Sequence, residues 1–283
     1  MASLAPTDQG ADASIPRVRP SRGADPAAGG LLRWRWTPAI LPLLILASWQ
    51  LASATGTLPS TILPAPTAVV GIGQELLLNG QLLANLGVSG ARAIAGLAAG
   101  GLLGLWLGLL TGVSPLSRRL LDPTLQAVRT IPHLALIPLV ILWFGIDEGA
   151  KVLLVAWGVF FPIYLNTYHG VVSVDRQLIE MGSVYGMSRT TLFRKIVLPG
   201  ALPSILVGLR FALGIMWLTL IVAETIAATS GIGYMAMQAR EFSQTDVIVL
   251  SIAIYALLGK LADSLTRLLE RRLLRWNPAY RSN

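Results

Sequence analysis

Long runs of apolar residues, separated by short segments rich in arginine, proline or glycine, form the main pattern of this sequence. Two of the runs, residues 93–117 and 152–174, contain no Asp, Glu, Lys or Arg. About 20 apolar residues are enough for a helix to cross the hydrocarbon layer of a membrane. Each run therefore predicts a membrane-spanning helix rather than a core helix of a large soluble protein.

Six such segments are predicted to span the bilayer, which makes the chain an all-α membrane protein. Their approximate bounds are Pro38–Ala54, Ala91–Val113, Ile131–Ile146, Ala150–Val174, Leu202–Ala228 and Val247–Leu265. Pro138 lies inside the third segment and predicts a kink there. The stretch from Ala68 to Leu86 is amphipathic and is predicted to lie near the outer surface.

The first apolar segment has two interpretations. Ala52-Ser53-Ala54 resembles the small-residue cleavage site of a signal peptide. The bulky Trp49 and Gln50 just before it, and the long region that precedes the segment, favour a helix that is retained.

Positive charges alternate along the chain in step with the apolar segments. They precede the first segment, follow the second and the fourth, and end the chain, whereas residues 55–90 contain no Lys or Arg. This is the positive-inside pattern, and it predicts an even number of spans with both termini in the cytoplasm. The net charge of +8 then follows from membrane topology and does not indicate a nucleic-acid partner.

Composition and charge divide the chain into three parts. Residues 1–32 are rich in Ala, Pro, Gly, Asp and Arg and are predicted to be a disordered cytoplasmic tail. Residues 33–266 are predicted to form the transmembrane domain, which includes a cytoplasmic segment at 175–200. Residues 267–283 are predicted to be a basic cytoplasmic C-terminal segment. Hydrophobic residues make up 54% of the chain and charged residues 13%, and the charged share is far below that of soluble domains.

Candidate residues for a metal or nucleotide site are scarce. The chain has no cysteine and two histidines, too few for a histidine-rich zinc site without carboxylates. It also lacks the Gly-x4-Gly-Lys-Ser/Thr pattern that cradles nucleotide phosphates. We therefore expect no cofactor to be bound by this chain.

Small residues recur every four positions in the second predicted span. They are Gly96, Gly100, Gly104, Gly108 and Gly112. Glycines at this spacing lie along one helix face and let two helix backbones approach closely within a membrane. Tight helix packing is thus predicted for this face, in preference to a ligand site.

The segment between the fourth and fifth spans, residues 175–200, is the most informative. It predicts a polar helix with Glu180 and Gly182 near its middle and a sharp turn at Gly186. A second short helix, capped by Ser188, is predicted to end at Pro199-Gly200. Such a helix-turn-helix would protrude from the membrane and is suited to docking on a partner protein.

This segment resembles the coupling loop of bacterial ABC importer permeases. In that family Glu-Ala-Ala is followed after three residues by Gly, and after nine more by Ile-x-Leu-Pro. The matching positions here are Glu180, Gly186, Ile196, Leu198 and Pro199. Met181 and Gly182 replace the two alanines. Residues 131–138, 143–148, 222–225, 230–233 and 274–280 further resemble the nitrate/sulfonate/taurine branch, and from 38 to 281 the chain is most similar to aliphatic sulfonate permeases.

The resemblance implies a type I ABC importer permease fold, here spanning 33–266, in the bacterial inner membrane. It also implies a homodimer, two separate ATPase subunits that bind ATP and Mg, and a periplasmic solute-binding protein. The implied function is import of aliphatic sulfonates by alternating access. Taurine, nitrate or another small anion is the alternative substrate.

Ionisable residues inside predicted spans are costly and often functional. Glu224 has two interpretations, a pore-lining or gating group and a structural anchor to a neighbouring helix or turn. Arg210 either offers positive charge to a passing anion or extends its guanidinium to the headgroups. Lys260 and Asp263, three residues apart, are predicted to form a local ion pair.

Two other function classes are considered. An ion-coupled secondary transporter would need broken helices in paired repeats, and no clear repeat is seen. An intramembrane enzyme would need a nucleophile with its base, or a metal site, for which no residues stand out. Dependence on a separate ATPase distinguishes an importer subunit from both.

Overall fold

The computed structural model describes residues 37–277. The predicted disordered tail, residues 1–32, and the last part of the basic segment, residues 278–283, lie outside the described residues. Every regular element within 37–277 is helical. The helices are α1 (Thr37–Ala54), α2 (Pro66–Leu78), α3 (Gln81–Val113), α4 (Pro115–Arg129), α5 (Ile137–Phe144), α6 (Glu148–Val172), α7 (Arg176–Val184), α8 (Arg189–Leu192), α9 (Leu198–Ala227), α10 (Ile232–Glu241) and α11 (Thr245–Leu273).

The first helix belongs to two compact units. Among the described residues, 37–48 belong to one unit and 49–277 to the other. The described part of the first unit, residues 37–48, is the apolar beginning of α1. Residues 40–48 there are exposed. As a whole, α1 is shorter than the helices that are long enough to cross a membrane.

Four helical stretches among the described residues are long and apolar enough to span a bilayer. They are α3, α6, the stretch Arg189–Ile226 that contains α9, and α11. The pair α4 and α5 counts as a fifth span if its two bent halves are taken together. By length and composition the described part therefore offers four to five spans.

The third predicted span differs from the expected kinked helix. Its helix begins earlier, at Pro115, and ends at Arg129, and a 3-10 turn (His133–Leu136) and α5 follow at 81° to it. The break lies at Pro132, because proline lacks an N–H and disfavours helical backbone at the residue before it. Pro138 falls in the first turn of α5, where proline is tolerated, so the kink expected there is wrong.

Two other boundaries also depart from the predictions. The amphipathic stretch 68–86 is divided by Gly80, whose φ of +79° ends one helix before α3 begins. As a result α3 starts ten residues before the predicted second span. At the other end of the chain, α11 continues to Leu273, so the sixth span and the start of the basic segment form one helix.

The core of the second unit is the contact of α6 with α3 on one side and α9 on the other. Glycine contacts pair Gly96 with Val155 and Gly112 with Val171, so α3 and α6 run parallel. Gly170 meets Ala201 while Gly158 meets Thr219, so α9 runs antiparallel to α6. The buried apolar side chains between these helices include Ala93, Val155, Val159, Ile163, Ala212, Met216 and Leu220.

Candidate functional site

The coupling segment, residues 175–200, forms a compact helix-turn-helix. Asp175 caps α7 by accepting a hydrogen bond from the backbone N–H of Gln177 at 2.8 Å. Gly186 has a φ of +73°, a left-handed conformation that glycine adopts without strain. Ser188 then caps α8 through the N–H of Thr191 at 3.3 Å. The sequence therefore folds locally as its turn and cap residues indicate.

Gly182 holds the two halves of the coupling segment together. It is buried, and a Cβ there would lie 2.6 Å from Leu192 and 2.9 Å from Ile196. A larger residue would push α7 away from the helix that follows. Met181, the neighbouring departure from the family pattern, points outward and is 50% exposed. The two departures from the family pattern therefore lie on different sides of α7: Gly182 faces the following helix and Met181 faces outward.

The outer surface of α7 carries apolar side chains that nothing in the described chain covers. Val184 and Tyr185 are 86% and 79% exposed, and Leu178 is about half exposed. Glu180 lies in the same helix and is also exposed. A cluster of exposed apolar side chains on a protruding turn is typical of a surface that meets another protein.

The coupling segment is continuous with the long helix α9. α8 passes through a π-helical turn, Phe193–Val197, directly into α9 at Leu198. Pro199 lies in the first turn of α9 and directly follows the π-helical turn, in which the Leu198 N–H donates to the Phe193 carbonyl; the proline itself has no N–H to donate to this continuous helix. The expected end of the second helix at Pro199-Gly200 is therefore wrong. A displacement of α8 would be passed directly to α9.

The glycine ladder of α3 lies at the contact with α6. At each of its five positions a Cβ would overlap an atom of α6. At Gly104 the nearest atom is the carbonyl oxygen of Phe160, 2.6 Å from the Cβ position. At Gly100 the nearest atoms all belong to the backbone of Ala156. The ladder lets two backbones touch, and this contact occupies the face that the glycines present.

Glu224 is 1% exposed and lies at the end of the bundle opposite the coupling segment. Its carboxylate accepts hydrogen bonds from Ser89 Oγ at 2.8 Å, Arg92 Nη1 at 2.7 Å, Gly233 N at 2.9 Å and Tyr255 Oη at 3.1 Å. These donors come from α3, α10 and α11, so the carboxylate joins three helices to α9. Of the two interpretations of Glu224, this geometry favours the anchor.

Arg92 is the ionic partner of Glu224, a pairing that was not predicted from the sequence. It is 3% exposed and also contacts Glu148, with Nε to Oε2 at 2.5 Å and Nη2 to Oε1 at 2.6 Å. Lys151 adds a contact to Glu148 at 3.1 Å. A signal was present, because Arg92 is the one charged residue inside the second predicted span. An intramembrane arginine predicts a nearby carboxylate.

Arg210 does not offer a free positive charge. Its Nη2 lies 2.6 Å from Glu270 and its Nε lies 3.6 Å from Asp263, both on α11. Asp263 also pairs with Arg267. The ion pair expected between Lys260 and Asp263 is thus replaced by contacts of Asp263 with Arg210 and Arg267. The prediction failed because it considered one helix, whereas the partner comes from α9.

Metal ligands are not gathered anywhere in the described residues. No group of three or more His, Asp or Glu side chains there could hold an ion. His133 instead contacts Thr219 Oγ1 at 3.2 Å and joins the start of the 3-10 turn to α9.

Known proteins resemble this chain over most of its length. It is 59% identical over 246 residues to a protein of Escherichia coli (strain K12) named as the aliphatic sulfonates transport permease SsuC, covering 87% of this chain and 94% of that one. A protein of the same name from Bacillus subtilis (strain 168) is 47% identical over 252 residues, covering 89% and 91%.

The fold also has a relative among solved structures. A crystal structure of an amino acid ABC transporter with histidines matches with a TM-score of 0.57 at 18% identity, covering 70% of this chain and 97% of that one. At this identity the match concerns the fold alone. The family model for the binding-protein-dependent transport system inner membrane component matches residues 100–275. The resemblance seen in the sequence is therefore confirmed, and the chain belongs to the family of inner membrane components of binding-protein-dependent transport systems.

Proposed function

We propose that the chain is the membrane-spanning permease subunit of an ATP-driven importer of aliphatic sulfonates. The coupling segment carries this proposal: a capped helix-turn-helix with exposed apolar side chains that continues directly into α9. The substrate class is supported by the two relatives, 59% and 47% identical, that are named for aliphatic sulfonates. The chain itself makes no catalytic contribution.

The proposed assembly contains two copies of this chain with both termini in the cytoplasm and six spans each. In this arrangement the six spans are the four long helical stretches, α1 and the α4–α5 pair. Two ATPase subunits, which hold ATP and Mg, dock on the coupling segments, and a periplasmic solute-binding protein delivers the substrate at the opposite face. Closure of the ATPase pair moves α7, and α9 transmits the displacement to the bundle.

A charge reversal at Glu180 tests this proposal. Glu180→Lys is expected to abolish both butanesulfonate uptake and ATPase association while the protein still inserts into the membrane. Uptake is measured with labelled substrate, and association by co-purification of the ATPase. The matched control is Glu241→Lys, an equal charge change at an exposed glutamate in α10, which is expected to leave ATPase association unchanged.

Two results would contradict the proposal. Uptake at the normal rate in cells that lack the ATPase would indicate a self-sufficient, ion-coupled transporter. Competition by taurine or nitrate, with no competition by butanesulfonate, would retain the importer and reassign its substrate.

A further inference from the structure

Arg129 lies at the break between α4 and α5, half-way along the bundle. The preceding residues Leu125 and Val128 line a hollow together with Gly100 and Trp157. Trp157 is the tenth residue of the 25-residue α6, near the middle of that helix. Arg129 therefore lies at the height of the middle of α6. In a bundle that spans a bilayer, this height is inside the membrane. Ionisable residues at such depth are expensive and usually functional.

Arg129 is exposed and has no ionic partner among the described residues. The other arginines within the bundle differ, since Arg92 and Arg210 each contact two carboxylates. The preceding acid of α4, Asp122, is two turns away and accepts hydrogen bonds from Tyr164 and Gln126. An arginine left unpaired at mid-bundle has the charge and the free donors to receive an anion.

The spacing along α4 places Arg129 on the stripe of the helix that faces α6. It follows Asp122 by seven residues and Leu125 by four, so all three share one stripe of the helix. Asp122 bonds to Tyr164 of α6, and Leu125 packs against the aromatic cluster of α6. Arg129 is the last residue of this stripe and of α4.

Two apolar hollows are lined by the residues that flank Arg129 in the chain, one by Ile131 and the other by Val128. One, of about 320 Å³, is lined only by apolar side chains of α5, α6 and the break, among them Ile131, Leu139 and Trp143. The other, of about 380 Å³, lies between α3, α4 and α6. Both are lined by Leu153 and Trp157. A cation beside apolar hollows of this size matches a ligand with an anionic head and a short hydrocarbon chain.

We propose that Arg129 and the adjoining hollow lined by Leu139 form a transient alkanesulfonate site within the permease itself. The sulfonate binds the guanidinium and the alkyl chain lies against Ile131, Leu139 and Trp143. This inference rests on the proposed function, which supplies the passing anion. The charge selects the occupant, because a phospholipid places its phosphate at the headgroups and only its uncharged acyl chain at this depth.

The test uses the complete transporter, with its ATPase and binding protein, reconstituted in proteoliposomes. Arg129→Gln is expected to lower butanesulfonate uptake by about 10-fold to 100-fold, as loss of a charge-assisted hydrogen bond would. Arg129→Lys retains the charge and is expected to lose less. Arg119→Gln removes the same charge from an exposed position near the start of the same helix and is expected to transport at the normal rate.

A second variant tests the hollow without touching the charge. Leu139→Trp fills the space that the alkyl chain would use, so octanesulfonate uptake should fall several-fold while ethanesulfonate uptake is unchanged. An equal effect on both substrates, or on neither, overturns the assignment of the hollow. Loss of co-purified lipid with unchanged uptake would assign it to an acyl chain and also overturn the proposal.

The outcomes separate this site from the proposed function. Normal uptake by Arg129→Gln overturns the site and leaves the importer standing. Failure of Arg129→Gln to form the permease pair, measured by light scattering of the purified complex, would assign Arg129 to the contact between copies and also overturn the site. Absence of any sulfonate uptake by the unaltered transporter would overturn the proposed function itself.

Discussion

Gly100 offers the sharpest test of how the bundle is held together. Gly100→Ala adds a single methyl group to α3, and that group would overlap the carbonyl oxygen, carbonyl carbon and Cα of Ala156. All three atoms belong to the α6 backbone, so no side-chain rotation relieves the overlap. The matched control is Gly87→Ala, in the same helix, where a Cβ would meet nothing within 4 Å.

The expected magnitude follows from two opposing terms. Replacing a helical glycine by alanine stabilises the helix by about 1 kcal/mol, and this gain applies to both variants. Overpacking a contact costs about 1–3 kcal/mol, and a backbone overlap belongs at the upper end, about 3 kcal/mol. Gly100→Ala should therefore be about 3 kcal/mol less stable than Gly87→Ala, a difference of roughly a hundredfold in the unfolding equilibrium.

The assay is the free energy of unfolding of the purified permease in mild detergent, followed by circular dichroism as denaturant is added. Because the helix-propensity gain is shared, the difference between the two variants isolates the packing term. Equal stability of the two variants, within about 0.5 kcal/mol, would refute the close α3–α6 contact. In that case the glycine ladder would have to serve another surface.

Two further substitutions test the anchor and the coupling segment. Glu224→Ala should lower the free energy of unfolding by about 3–5 kcal/mol, because it leaves the buried Arg92 without one of its two carboxylates. Gly182→Leu should abolish co-purification of the ATPase while membrane insertion stays normal, because the new side chain would meet Leu192 and Ile196 and displace α7.

Each of these has a control on the same element or a neighbouring one. Glu241→Ala removes an exposed carboxylate near Glu224 in sequence and should change stability by less than about 0.5 kcal/mol. Ser183→Leu places leucine on the exposed side of α7 beside Gly182 and should leave the fold of the segment intact. A Glu224→Ala protein as stable as its control would favour the gating interpretation, and Gly182→Leu with normal ATPase binding would argue against a closely packed segment.

Local signals in the sequence were enough for several elements. Gly186 and Ser188 were enough to predict the turn of the coupling segment and the start of its second helix, because backbone conformation and capping depend on neighbouring residues. The glycine ladder likewise predicted a packed face from its spacing alone. The helices α6, α9 and α11 appear within a few residues of the predicted spans, apart from the extension of α11 to Leu273.

Composition alone was not enough to predict the helices of the third span. The apolar residues 131–146 suggested one helix with a kink at Pro138. In the structure the helix breaks at Pro132, and a separate helix, α4, precedes the break and begins at Pro115. α4 carries Arg118, Arg119, Asp122 and Arg129, so its composition hid it from a search for apolar runs. Its contacts with α3, and with α6 through Asp122 and Tyr164, join it to the bundle.

The sequence by itself determined that the chain is an α-helical membrane protein of the importer permease family, because apolar run length, charge alternation and the coupling motif are all local properties. Only the tertiary structure decided the partners of its charges. Glu224 meets Arg92 across 132 residues, and Arg210 meets Glu270 across 60. Such pairings depend on which helices are neighbours and how they are rotated, and residue spacing along one helix does not contain that information. The same packing leaves Arg129 without an ionic partner among residues 37–277.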